Sequence, residues 1–235
     1  MDAKNIKTIA IIGSGYAGLT FANLIQSRSD IIDAQIYEAL NVPNSGVLVG
    51  NVEVPFAANV FGVLGLEWKW RKNAISIPEE ELLAALRSRL TKRIKYRSRA
   101  VALESTLDGI YVKVRYCEEG NSRYRKEGPF DIVVASNGVR SSFRGCDMDR
   151  VALIGDSRWV QARWWDLGTR RLQEGADIAM RDALALGDIV LNHDVIRGYL
   201  HLEEFSARKN GLPLWFLLVS VIVALYTIYV STTKQ

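Results

Sequence analysis

A β-rich apolar run ends in Gly13-Ser14-Gly15-Tyr16-Ala17-Gly18, and Glu38 follows twenty residues after the last of these glycines. No other feature restricts the chain as much. Lys7-Thr8-Ile9-Ala10-Ile11-Ile12 has the composition of a strand buried on both faces. From Tyr16 onward, Leu19-Thr20-Phe21-Ala22-Asn23-Leu24-Ile25 has helical spacing, and a second strand, Ala34-Gln35-Ile36-Tyr37, ends at Glu38. Strand, glycine turn, helix, strand and acid follow one another as in a dinucleotide-binding βαβ unit. In such a unit Gly13 permits the tight turn, Gly15 lets the backbone approach a pyrophosphate, and Gly18 packs the helix close to the strand. The helix N-terminus, with Tyr16 and Ala17 in its first turn, offers unpaired N–H groups and partial positive charge to the phosphates. Glu38 stands where a carboxylate accepts hydrogen bonds from ribose hydroxyls. A glycine-rich turn without a ligand is the plainer reading, and the strand before it and acid after it weigh against that.

The 235 residues suffice for one large domain or two small ones, and 49% hydrophobic content suffices for a packed core. The chain is mildly basic, with net charge +4 and pI about 9.1. Residues 87–99 hold much of that charge in Arg87, Arg89, Lys92, Arg93, Lys95, Arg97 and Arg99. A solvated helix end explains such a run, since cations complement the C-terminal dipole. Contact with an anionic membrane surface is the functional alternative. No motif or aromatic interleaving supports nucleic acid as a partner. Cys117 and Cys146 form no CxxC, and His193 and His201 lie eight apart in a poor arrangement for a metal, so neither a metal nor a thiol mechanism is indicated.

Residues 212–230 form a run of nineteen without a charge, about 28 Å long as a helix and close to the hydrocarbon thickness of a bilayer. Trp215, Tyr226 and Tyr229 lie toward its ends, as interfacial rings do. Arg208 and Lys209 precede the run and Lys234 alone lies beyond it. The expectation is a single-pass tail anchor with the globular part facing the cytosol, which the lack of an apolar leader before the first strand also favours.

Between these ends the chain reads as alternating elements. Residues 57–66 suggest a short helix closed by glycine, and Pro78-Glu79-Glu80-Glu81 opens a stronger one with Leu82, Leu83, Leu86 and Leu90 on its apolar side. Residues 100–103 and 110–116 alternate like strands around a turn at Asp108-Gly109. Asp131-Ile132-Val133-Val134-Ala135 leads into Asn137-Gly138, and Val151-Ala152-Leu153-Ile154 leads into Gly155-Asp156. A helix over residues 175–190 follows, with Ile178, Ala179, Leu184 and Leu186 as packing residues.

Together these passages resemble the class A FAD-dependent monooxygenases, the para-hydroxybenzoate hydroxylase-like family. Gly13 to Gly18 with Glu38 matches the family's ADP-binding fingerprint, and residues 131–144 resemble its Asp-Gly motif at Asn137-Gly138. Residues 151–156 match its Gly-Asp motif, and residues 175–186 resemble the helix that follows it. Ser45-Gly46-Val47 and residues 58–66 look like family segments too, so the resemblance is scattered over most of residues 6–208. It implies an α/β Rossmann-like FAD-binding domain, with FAD as cofactor and NAD(P)H as transient reductant. It also implies that Asp156 hydrogen-bonds the ribityl chain, and that a helix beginning near Gly175 and Ala176 aims its N–H groups at the flavin. A helix terminus there favours negative charge on the reduced ring. The flavin carries the chemistry, so no catalytic side chain is nominated.

Three departures accompany the matches. Asn137 stands where the family usually has Asp, and Glu79 where an Arg usually opens a central helix; a carboxylate cannot hold phosphate as a guanidinium can. The Gly-Asp motif often runs on to a His, whereas here it continues Ser157-Arg158-Trp159. Residues 139–154 and 67–77 are also short where the family inserts much of its substrate-binding sheet. Residues 158–171, with Trp159, Trp164, Trp165, Arg163 and Arg170, either roof the flavin or line a reduced substrate pocket; the plainer alternative is that the tryptophans pack and the arginines face water.

The expected layout is an FAD-binding oxidoreductase-like domain over residues 1–211, in which 67–130 include a remnant of the substrate region, and a transmembrane tail over 212–230. The leading functional expectation is a membrane-anchored FAD-dependent monooxygenase, a hydroxylase or epoxidase acting on an apolar small molecule. A second chain that completes the substrate site is a further expected partner. The alternatives are a truncated, non-catalytic flavoprotein relative and a flavin-dependent quinone reductase or dehydrogenase.

Overall fold

The computed structural model describes residues 6–41, 51–53, 61–62, 64–66, 76–118, 121–138, 141–143, 150–155 and 169–192. They form a mixed α/β unit of three layers, with helices on one face of a parallel sheet and an antiparallel sheet on the other. The parallel sheet contains β1 (Thr8–Ile12), β2 (Asp33–Tyr37), β8 (Ile132–Ala135) and β9 (Val151–Leu153), in the order β2-β1-β8-β9. β1 runs between two neighbours and is covered on both faces, which is why its sequence shows an unbroken apolar run rather than alternation. Ile9 and Ile11 enter the core under the helices, while Ala10 and Ile12 enter the core under the second sheet. β8 divides in the same way, with Val134 toward the helices and Val133 and Ala135 toward the sheet.

The helical layer consists of α1 (Tyr16–Arg28), α2 (Glu79–Ser88) and α3 (Thr169–Asn192). In α1 the buried face includes Leu19, Phe21, Leu24 and Ile25. Small residues on α3, namely Ala176, Ala179 and Ala183, let it lie close in the same core. At Gly187 an added Cβ would stand 3.3 Å from Leu24. Arg28 binds the buried Asp188 at 3.1 Å, pinning the end of α1 to α3. Asn23 is buried in α1, and its amide donates to the Leu86 carbonyl of α2 at 2.8 Å. α2 begins as its sequence suggests: Pro78 is the cap, Glu79, Glu80 and Glu81 occupy the positive end, and Leu82, Leu83 and Leu86 are buried.

On the opposite face, β5 (Ser98–Thr106), β6 (Gly109–Glu118) and β7 (Asn121–Phe130) form an antiparallel meander. Ile110, Val112 and Val114 alternate inward from β6 and meet Ala10, Ile12, Tyr37 and Phe130 in a second core. Residues 98–130 are therefore one layer of the α/β unit. Two ionised groups fasten this layer. Asp131 accepts from the Lys7 and Thr8 amides, both at 2.8 Å, and from the Thr8 hydroxyl at 3.0 Å. Glu127 accepts from the Tyr116 hydroxyl at 2.8 Å, Lys95 at 3.2 Å and the Tyr37 hydroxyl at 3.3 Å. Burial opposes ionisation at both carboxyls, but these donors outweigh it and hold both below the usual carboxylate range.

Several expectations require correction. β3 (Asn51–Glu53) and β4 (Ser76–Pro78), a two-stranded antiparallel pair, have no sequence counterpart; three residues apiece are too few to display a period. β7 has no sequence counterpart either, because its exposed edge carries mostly polar residues. The helix expected to start at Gly175 starts at Thr169 instead. Residues 87–99 are not one helix end. They span the close of α2, a connector and the start of β5, where Lys92 pairs with Asp33, Lys95 with Glu127 and Arg97 with Asn41. Of the expected short helix over 57–66, residues 61–62 are helical and Gly65 turns with φ +62°. Residues 42–50, 156–168 and 193–235, which include Ser45, Asp156, Trp159 and the 212–230 run, lie outside the described residues. Among the described residues no helix is long and apolar enough to cross a membrane.

Candidate functional site

Three turns meet at the C-terminal ends of β1, β8 and β9. The first follows β1. Gly13 adopts φ +105° and its N–H donates to the Tyr37 carbonyl at 2.9 Å, which ties the turn to β2. A Cβ at Gly13 would lie 2.6 Å from the Ser136 carbonyl oxygen and 2.9 Å from the Asn137 Cα, so the second turn, after β8, abuts the first. At Gly18 a Cβ would lie 2.1 Å from the Gly13 carbonyl oxygen and 2.6 Å from the Ser136 hydroxyl. Both outer glycines are thus required by packing. Gly15 differs: a Cβ there would meet nothing within 4 Å. It caps α1 with an ordinary extended backbone, φ −78°, and makes no side-chain cap bond. The middle glycine therefore leaves space open in front of the helix N-terminus, while its two neighbours are closed in.

The acid expected at the end of β2 is beside this opening. Glu38 accepts from the Ser14 amide at 2.7 Å, the Ser14 hydroxyl at 2.8 Å and the Leu40 amide at 2.9 Å. Its carboxylate is oriented by the glycine turn itself. A carboxylate has about four lone-pair sites, so capacity remains for a further donor.

In the second turn Asn137 is half-buried, and its side-chain Oδ1 is buried without a hydrogen-bond partner among the described residues. Gly138 adopts φ +79°, and a Cβ there would meet nothing within 4 Å. Ser136 is not singled out by the sequence, yet its hydroxyl donates toward the carbonyls of Ile12 at 2.9 Å and Gly13 at 3.1 Å and so holds the two turns together. A lone serine after a strand gives no signal of this.

The third turn brings Gly155, with φ +61°, against α1 and α3. A Cβ there would stand 3.1 Å from that of Ala17 and 3.3 Å from that of Ala179. The Gly155 amide donates to the buried Asp182 of α3 at 3.0 Å. Asp182 belongs to a motif the sequence singled out, but its task emerges only from this contact. Asp156 follows immediately and lies outside the described residues.

Not every expected residue joins the turns. With α3 starting at Thr169, Gly175 and Ala176 fall in its second turn, where the helical ladder uses backbone N–H groups. Ala176 is 2% exposed and packs in the apolar core. A helix-terminus role therefore belongs to the segment beginning at Thr169. The side chain of Tyr16 packs partly into the same core. Burial foremost, then the Glu79 carboxylate, raises its pKa far above the ordinary tyrosine value, while Arg87 opposes this. Glu79 thus faces the α1 N-terminal turn, and Arg87, two turns further along α2, brings a guanidinium to the same neighbourhood.

No protein-family model matches the chain, and no curated protein matches it. Among solved structures, the rebeccamycin biosynthetic enzyme RebC with reduced flavin is similar at 16% identity and a TM-score of 0.49, covering 60% of this chain. The tetracycline destructase Tet(51) is similar at 15% identity and 0.46, covering 62%. The Diels-Alderase PyrE3 is similar at 18% identity and 0.46, covering 59%. The chain spans only 34% of RebC, 42% of Tet(51) and 34% of PyrE3.

Proposed function

We infer that this chain binds FAD and works as a membrane-anchored flavin oxidoreductase of the monooxygenase type. One observation carries the reading. The turn after β1 is closed by packing at Gly13 and Gly18 and open at Gly15, directly before a helix N-terminus and beside the Glu38 carboxylate. A pyrophosphate needs that combination of open backbone, N–H donors and positive dipole, and a ribose needs the acid. The unpartnered Asn137 Oδ1 and the open Gly138 fit a polar ligand that continues across the sheet edge.

In this reading Gly15 and the amides of Tyr16, Ala17 and Gly18 face the phosphates, Glu38 orients the ribose, and Asn137, Gly138, Gly155 and Asp156 follow the chain toward the ring. Flavin, when bound, supplies electron transfer from a nicotinamide cofactor to oxygen. This chain's residues bind and orient. Ser136 and Asp182 act as positioning residues that fix the turns. Residues 1–211 constitute the flavin-binding unit and 212–230 the anchor, which favours an apolar substrate drawn from the bilayer. The second reading, FAD binding without turnover, is favoured by how few residues, 139–154, separate the second motif from the third.

The test is the visible absorption spectrum of the purified full chain in detergent, followed by NAD(P)H with and without oxygen. Bound flavin that is reduced and then reoxidised by oxygen is the expected result. Flavin that binds but is never reduced selects the non-catalytic reading. Anaerobic turnover with an added quinone selects a quinone reductase, and a folded chain that cannot be reconstituted with FAD overturns the proposal.

A further inference from the structure

The outer face of the β5–β6–β7 sheet opposes like charges. Arg99 of β5 lies directly across from Arg115 of β6, and Lys113 of β6 directly across from Lys126 of β7. These residues share one face, because Ile110, Val112 and Val114 alternate to the other. Like charges directly opposite each other destabilise a sheet. The face relieves only part of this. Lys126 reaches Glu104 at 2.8 Å and lies 4.2 Å from the Tyr111 ring centroid, and Lys113 lies 5.5 Å from that of Tyr124. Arg99, Lys113 and Arg115 have no carboxylate partner among the described residues, and Arg115 Nε is buried there without a hydrogen bond. The same face exposes Tyr124 at 56%.

We propose that this face rests on the headgroups of an anionic bilayer. Cations gain from the negative surface potential of such a leaflet, and tyrosine rings settle at its interface. An anionic counter-surface removes the repulsion that the sheet otherwise bears. The inference rests on the reading of residues 212–230 as a membrane span. Only residues 193–211 separate α3 from that span, a reach of at most ~65 Å, so the domain cannot leave the bilayer. Four cations bind a membrane weakly from solution, but a tether raises their effective concentration and makes such a contact sufficient to orient the domain. The tether also favours lipid over nucleic acid, which would have to be recruited from solution.

The experiment compares amide hydrogen exchange of the full chain in nanodiscs of phosphatidylcholine alone and with roughly 30 mol% phosphatidylserine. Exchange of β6 and β7 should slow at least about threefold on the anionic discs while α1 is unchanged, and about 0.5 M NaCl should abolish the difference. The paired variants Lys113→Gln with Arg115→Gln, and the milder single Lys113→Gln, should lose the effect or reduce it; Lys113 is exposed, Arg115 is half-buried, and both stand on β6, which contributes nothing to the glycine turns. Equal exchange on the two discs overturns the docking face. Slowing caused by an oligonucleotide and not by phosphatidylserine overturns it as well. Resistance of the chain to alkaline extraction from phosphatidylcholine vesicles reports the anchor separately. An extractable chain whose β6 and β7 still slow on phosphatidylserine vesicles would sink the span and retain the face.

Discussion

The two faces of the parallel sheet are held by different physics. On the helix-covered face, close packing dominates: Gly18 and Gly155, with Ala17 and Ala179, bring α1 and α3 down to the sheet edge, and Gly187 brings α3 against Leu24 of α1. On the sheet-covered face a smaller apolar core is supplemented by ionised carboxylates, Asp131 and Glu127, that gather donors from several strands. The difference teaches where binding capacity comes from. The packed face sets its backbone accurately enough to leave one glycine open to a ligand, while the ionised face acts as a support whose strength follows pH.

Gly18→Ala should break the packed face most severely. A methyl group 2.1 Å from the Gly13 carbonyl oxygen forces α1 away from the turn, at a cost of about 3 kcal/mol or more in chemical denaturation. No titrating group is involved, so the loss should be the same from about pH 5 to 8. A loss that varied with pH would erase the contrast between the faces.

The support face should respond less strongly and with a distinct pH signature. Asp131→Asn removes the charge that serves three donors and should cost about 1–2 kcal/mol near neutrality. The Asp131 pKa is depressed by folding. Its stabilisation is therefore complete above the unfolded value of about 3.9 and is lost as pH falls through the lower folded value. Wild type and variant should converge below about pH 4 in denaturation measured as a function of pH. Glu127→Gln keeps an acceptor for Tyr116 but loses the ionic bond to the half-exposed Lys95, and should cost about 1 kcal/mol. Its acid limb has the same sign, beginning below about pH 4.3. Convergence at high rather than low pH would show that the carboxyls are not ionised in the folded state.

The packed face was much the more legible of the two in sequence. The runs in β1 and β8, the glycine spacing and the acids opening α2 each follow from a local requirement that leaves a compositional mark. Mixed α/β class, the turn after β1 and the placement of Glu38 and Gly155 could be read in this way. Gly175 and Ala176 look like a helix start in sequence because glycine is a poor helix former, yet here Gly175 lies inside a helix that begins at Thr169. The tasks of Ser136, Asp182 and the Glu127 cluster leave no mark in the sequence because each group works through partners distant along the chain. Asp182, for example, serves an amide 27 positions earlier. β7 offers mostly exposed polar residues before the buried Phe130 and becomes a strand by pairing with β6.

The sharpest comparison lies within a single turn and predicts almost no change in stability. Gly15→Val introduces a side chain where a Cβ meets nothing, at a backbone conformation open to any residue. Losing glycine as the helix cap costs up to about 1 kcal/mol, and restricting the unfolded chain returns about 0.4–1 kcal/mol. The folded state should consequently match wild type within about 0.5 kcal/mol. Flavin retention through gel filtration should nevertheless be lost, since the branched side chain fills the space a pyrophosphate would occupy. Flavin kept by a stable Gly15→Val protein would remove the phosphate site from this turn. A variant as unstable as Gly18→Ala would mean that Gly15 is a packing glycine like its neighbours, and the asymmetry on which the functional reading rests would be gone.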